Sequence, residues 1–434
     1  MAIGLFSTKT ELRPMLRLAV PVVLAELGWM AMGVVDTMMV GRIDAESIGA
    51  VSIGRALFMG VTIFGIGLLL GLDTVVSNAF GAGKLEECYL ALLHGVYLSL
   101  LMTAPLMGAI WALSGLLESW GVDPAVRALA GPYARAVSWS VLPILLYATF
   151  RRYLQAINLV RPVMIALISA NAVNVAANWT LIFGHLGFPA MGSTGAAWAT
   201  VLSSLYMALF LLAAVLLRDR QDGGRLRRLA LRPSGARLLR LLRLGLPAAT
   251  QLLLEVGVFA LVTTLAGRLA PAALAAHQIA LNAASVTYMV PLGISAAGAV
   301  RVGQALGRKD PAGAARAGWT ALLLGAVFMS VAALAFVSVP RWIIRAFTVD
   351  PQVIAAGVSL LYVAALFQLF DGIQVVATGA LRGAGDTRTP MLWNLVGYWV
   401  LGLPVGYYLC FHLGHGAMGL WIGLSIGLIV VGSI

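Results

Sequence analysis

Apolar runs of roughly 20–30 residues follow one another along almost the whole chain, each about long enough to cross a hydrocarbon core as a helix. They are rich in Leu, Ala, Val and Gly and lack the short alternating segments of a membrane β-barrel. Of the 434 residues, 61% are hydrophobic and 11% charged, where a soluble domain is about 25% charged. Mean hydropathy is +0.94. So little charge cannot cover a soluble surface, and so much apolar character excludes disorder. The fold class is therefore an all-α polytopic membrane protein. Breaks at charge, Pro or Gly place twelve spans at 15–41, 47–80, 88–113, 125–150, 162–183, 193–217, 238–268, 272–306, 312–337, 352–380, 389–411 and 415–434.

The formal net charge is +12. In a soluble protein this would suggest a nucleic-acid partner. Here the positive-inside rule accounts for it, and no nucleic acid is implied. With a cytoplasmic N-terminus, one side receives Lys9, Arg13, Arg17, Lys84, Arg151, Arg152 and Arg161. The arginines from Arg218 to Arg243 fall there too, as do Arg301, Arg308, Lys309, Arg316, Arg382 and Arg388. Both termini are expected in the cytoplasm, the chain spanning the inner membrane many times. The first apolar run has no small-residue cleavage site and reads as a retained span. Cys88 and Cys410 sit near opposite ends of their spans and read as packing residues.

The two halves repeat. LRLAVP (Leu16 to Pro21) returns as LRLGLP (Leu242 to Pro247), 226 residues on, and the same offset carries Gly41-Arg42 onto Gly267-Arg268 and Gly81 onto Gly307. Val122-Asp123-Pro124 matches Val349-Asp350-Pro351 at an offset of 227. Each copy holds an even number of spans, so both enter the membrane the same way, as in transporters built of parallel repeats. The expected organisation is an N-lobe (1–217), a basic cytoplasmic linker (218–237) and a C-lobe (238–434), with membrane lipids as partners; the linker could contact anionic lipid but reads first as a plain connection with an interfacial helix. These form two pseudo-symmetric six-helix lobes, with the substrate cavity in a cleft between them.

Carboxylates inside spans are costly unless protonated, paired or hydrated, so they mark candidate sites. Of the 17 acids, Glu26, Asp36, Asp73, Glu255 and Asp371 fall in spans. Gln251, Glu255, Phe259 and Thr263 form one stripe at helical spacing. Gln368, Asp371, Gln374 and Thr378 form another, and Gln278, Asn282, Ser285 and Tyr288 a third. Two carboxylates among polar stripes, with no basic partner in the same spans, call for a cation. Oxygen ligands suit sodium, and two neighbouring carboxylates suit proton carriage. In the first half, Asp36 with Asn174, Asn178 and Thr200 outlines a second proton or substrate site, unless Arg55 simply pairs with Asp36. Glu26 has no evident partner. Asp73, near a span end, reads as structural. His185, His412 and His415 lack metal-ligand spacing. There is no GxxxxGK[ST], GxSxG or HExxH, so the chain reads as neither an enzyme nor a cofactor binder.

The strings VDTMMVGR (Val35 to Arg42), HQIALN (His277 to Asn282), YMVPLGISAAGAVRVGQALG (Tyr288 to Gly307), LRGAGDTR (Leu381 to Arg388) and YWVLGLPVGYYL (Tyr398 to Leu409) resemble the multidrug and toxic compound extrusion (MATE) family, NorM-type branch. The resemblance covers nearly the whole chain. It implies a monomeric antiporter that exports organic cations in exchange for inward sodium or protons. It also implies that Glu255 and Asp371 are the cation-binding acids, with Tyr288 an aromatic near them, and that Asp36, Asn174 and Asn178 line the first-lobe cavity. Phe367 stands where some sodium-coupled relatives carry Tyr, which removes one oxygen ligand. Two rival readings remain. A lipid-precursor flippase would need an intramembrane Arg or Lys cluster, which the spans lack. An ion channel would pass the ion without moving drug.

Overall fold

The computed structural model describes residues 8–121, 123–226 and 232–434, so Val122 and part of the basic linker lie outside the described residues. The chain runs through α1 (Thr8–Val40), α2 (Ala45–Leu68), α3 (Gly71–Gly81), α4 (Leu85–Gly115), α5 (Pro124–Ser138), α6 (Val141–Ala156), α7 (Arg161–Phe183) and α8 (Gly192–Gln221). It continues through α9 (Gly235–Ala266), α10 (Pro271–Gly307), α11 (Pro311–Ser338), α12 (Pro340–Arg345), α13 (Pro351–Ala384), α14 (Arg388–Asn394), α15 (Leu403–Tyr407) and α16 (Gly416–Ser433). Widened π turns, Leu395–Gly402 and Tyr408–His412, flank α15. No strand occurs among the described residues.

Eleven helical runs are long and apolar enough to cross a membrane, and α5 with α6, bent by 44°, supplies a twelfth. This is the number of spans read from the sequence. Several starts obey a local signal. Aspartate precedes proline at α5, α11 and α13, and Asp123, Asp310 and Asp350 accept backbone N–H bonds of 2.8, 2.7 and 2.8 Å from Ala125, Gly313 and Gln352. Proline suits the first turn, where its missing N–H has no partner to lose, and the carboxylate satisfies an orphan donor. At the far end of α13, Gly385 takes φ +91°, a left-handed cap that glycine adopts without strain.

The contacts divide the chain into two compact units. One is Leu24–Ala249. Within it α7 packs on α8, α6 on α4 and α8, and α2 on α5. The first turns of α9 are tied to α4 by Arg237 and Glu87, 2.7 Å apart. The other unit joins Met1–Val23 to Thr250–Ile434. Within it α10, α11 and α13 pack on one another and α16 packs on α13. Glu11 on α1 pairs with Arg301 on α10 at 2.6 Å. The unit boundary thus falls inside α1 and α9 and not in the linker.

In the second unit α16 also meets the π-turn segment through glycines. A Cβ on Gly402 would lie 3.0 Å from the Gly423 carbonyl oxygen, and one on Gly406 3.1 Å from that of Leu420. Without a hydrophobic drive in lipid, membrane helices associate through such close backbone approach. This contact seats Tyr398 and Trp399 among the packed helices.

Candidate functional site

The second unit brings Glu255 and Asp371 into one neighbourhood. Glu255 lies on α9, 9% exposed, and its Oε1 accepts the Tyr288 hydroxyl of α10 at 2.9 Å. Asp371 lies on α13, half-buried, within electrostatic range of Glu255. Both acids are within range of the Tyr288 and Tyr398 hydroxyls. Among the described residues Asp371 accepts no hydrogen bond, and neither acid forms an ion pair. One turn before Asp371, the fully buried Gln368 donates to Thr287 Oγ1 at 2.9 Å and leaves its Oε1 without a partner. The oxygens gathered at the two acids are therefore carboxylate and phenol, which fit a hard monovalent ion or a proton. Among the described residues no three His, Cys, Asp or Glu converge as a metal cluster.

The other residues expected at this site separate. Phe259 meets Tyr398 edge-on, with centroids 6.2 Å apart. Gln278 and Asn282 are exposed and form no side-chain hydrogen bond among the described residues. Phe367 is buried against Trp421, 5.8 Å between centroids. His277 accepts the Trp421 indole N–H on Nδ1 at 2.9 Å, so its proton sits on Nε2, 3.0 Å from Thr263 Oγ1. That neutral tautomer ties α9, α10 and α16 together.

Tyr398 is a residue that the polar stripes did not single out. It is fully buried and donates to Gln374 Oε1 at 3.0 Å, while Gln374 donates to Asn394 Oδ1 at 3.0 Å. The neighbouring Trp399 indole donates to the Leu254 carbonyl at 3.0 Å. The π turn thus reaches α9 on both sides of Glu255. π segments collect at functional sites, but α-helical periodicity misplaces their side chains.

In the Leu24–Ala249 unit the acids within the helices meet polar or charged protein partners. Asp36 accepts from Asn178 Nδ2 at 2.6 Å, and the same amide donates to Asn174 Oδ1 at 3.1 Å. All three are buried, leaving Asn174 Nδ2 and Asn178 Oδ1 unpartnered. Arg55 lies within electrostatic range of Asp36 but donates to the Gly33 carbonyl at 3.0 Å and forms no ion pair with it. Thr200 bonds back to Ala196 of its own helix at 3.1 Å. Glu26, expected to lack a partner, is paired with Arg151 Nη2. Arg151, at the end of a span by sequence, is only 7% exposed. Arg152 pairs with Asp73 at 3.3 Å. These buried arginines are held by carboxylates, so they do not make the cationic cavity that a flippase would need. Cys88 and Cys410 are free and buried.

With this geometry in place, three comparisons bear on the chain. The MatE family model matches residues 21–180 and 247–408. The chain is 40% identical over 433 residues to the probable multidrug resistance protein NorM of Mesorhizobium japonicum, covering 98% of this chain and 93% of that protein. It is 33% identical to the multidrug resistance protein NorM of Photobacterium profundum, covering 97% and 93%. Its structure is similar to the crystal structure of the eukaryotic MATE transporter AtDTX14, with a TM-score of 0.88 at 23% identity over 98% of this chain and 94% of that one.

Proposed function

We propose, from the premise that this chain belongs to the MatE family, that it is a multidrug efflux transporter working as a secondary antiporter. It carries cationic amphipathic drugs or toxins out of the cell in exchange for inward sodium ions or protons. The observation that carries this reading is the pair Glu255 and Asp371, two carboxylates in apolar helices with a phenol for company and no basic partner among the described residues. Such a pair is stable only with a cation or a proton. A cation bound there from outside favours drug release, and its loss inside favours drug uptake. Coupling of this kind is reciprocal, because each ligand shifts the affinity for the other by the same factor. Asp36, Asn174 and Asn178 form a second proton or substrate site in the first half. The protein works as a monomer in the inner membrane, both termini cytoplasmic.

Purified protein in sealed vesicles tests the reading. Drug movement is expected under an imposed sodium gradient alone or a proton gradient alone, and the gradient that works names the ion. Full efflux by both Glu255→Gln and Asp371→Asn would overturn the proposal. Ion flow with no drug movement would favour a channel instead.

A further inference from the structure

Between α11 and α13 the chain forms the six-residue helix α12, which carries Arg341 and Arg345 one turn apart. Both are exposed, and among the described residues neither side chain forms an ion pair or hydrogen bond. They border a groove of about 590 Å3. Thr348 lines it beside them, with Ile354, Ala355 and Val358 of α13 forming an apolar wall. That wall belongs to a helix long and apolar enough to span a membrane. Trp342 and Phe347, 75% and 56% exposed, project from the same segment, as aromatic side chains do at headgroup level. The nearest acid on the chain, Asp350, accepts backbone N–H bonds from Gln352 and Val353 and is engaged in capping α13.

The internal repeat shows that this charge is no requirement of the fold. The offset that matches Val122–Pro124 to Val349–Pro351 sets Ser114 and Glu118 opposite Arg341 and Arg345. In that copy Glu118 is paired with Arg127 at 3.0 Å. One copy therefore closes its charge on itself and the other leaves two guanidinium groups open above an apolar groove.

We propose that this groove binds an anionic glycerophospholipid. The phosphate sits between Arg341 and Arg345, where guanidinium forks match phosphate oxygens. The Thr348 Oγ1 accepts the Asp350 N–H at 3.2 Å, which leaves its own proton for the headgroup. An acyl chain lies along Ile354, Ala355 and Val358. Guanidinium charge beside an apolar wall selects a lipid over a free anion.

The test uses the full chain in nanodiscs made from equal amounts of phosphatidylglycerol and phosphatidylcholine. Lipid retained after detergent extraction is counted by native mass spectrometry. The protein is expected to keep phosphatidylglycerol in excess, with added inorganic phosphate failing to displace it. An exposed guanidinium–phosphate contact shifts occupancy about fivefold, so the double variant Arg341→Ala/Arg345→Ala should lose roughly 20-fold of that excess. Arg341→Lys/Arg345→Lys, which preserves charge and fold, should keep part of it. An unchanged excess in a folded alanine variant overturns the proposal. Displacement by phosphate alone also overturns it, by showing a simple anion site.

Discussion

In the Leu24–Ala249 unit, Glu26 meets Arg151 and Asp36 meets Asn178. In the other unit, Glu255 meets a phenol and Asp371 meets no protein donor among the described residues. A carboxylate paired with a guanidinium, as Glu26 is, is neutralised within the protein, while one held by an amide, as Asp36 is, keeps its charge. One without such a partner leaves room in its electrostatics for a ligand. The repeat sharpens this contrast. The offset of 226 sets Trp29 opposite Glu255, and Trp29 stacks on Tyr147 at 6.1 Å, nearly parallel. One copy built an apolar contact where the other placed a charge.

Exchanging acids between the two classes would break the comparison. Asp371→Asn has the largest expected effect on transport: efflux in vesicles falls to background, while the thermal midpoint holds or rises because an unpaired charge has left the helices. A midpoint that drops along with transport would mean that Asp371 is structural. The reverse is expected of Arg151→Met. Stranding Glu26 without its partner should lower stability by about 3–5 kcal/mol. Thermal unfolding in detergent reads this, and Glu26→Gln/Arg151→Met should recover most of it.

Asn178→Ala removes the 2.6 Å bond to buried Asp36 and should cost about 1–3 kcal/mol, again read from the midpoint. Tyr288→Phe removes the hydrogen bond to Glu255. It should change the ion concentration for half-maximal efflux by up to about tenfold, the worth of one charged hydrogen bond, with little effect on the midpoint. If Tyr288→Phe lowered stability as much as Asn178→Ala, the two sites would not differ in kind.

A control outside both sites has the smallest effect. Asp44 caps α2, and the backbone N–H of Ser47 holds its carboxyl below the usual carboxylate range. A lowered folded value stabilises at neutral pH, and that stabilisation is lost as pH falls below about 4 through the folded value. The midpoint gap between the parent and Asp44→Ala should therefore be present at pH 7 and close on acidification.

Much of this was legible in one dimension. Membrane helices come from runs of apolar residues, and the Asp-Pro starts of α5, α11 and α13 act within one turn of chain. Glu255, Asp371 and Tyr288 could be singled out because a polar group inside an apolar run is costly wherever the run folds. Gln278 and Asn282 could not be sorted the same way. Ten residues of helix leave Tyr288 about 80° round from Gln278, and only tertiary packing decides which direction meets Glu255 on α9. Tyr398 was hidden by the π turn, whose period differs from the one used to read stripes.

The sequence by itself determined the class of molecule, the number of spans, the duplication and the few acids that such helices would have to accommodate. These follow from solvation and local hydrogen bonding, which depend on composition and near neighbours. Tertiary structure decided which acids are answered from within. Glu26 finds Arg151, 125 residues away, and Asp36 finds Asn178, 142 residues away. Coulomb and hydrogen-bond energies depend on separation in space. No spacing along the chain could show that Glu26 would be answered within the protein while Glu255 and Asp371 would have no basic partner among the described residues.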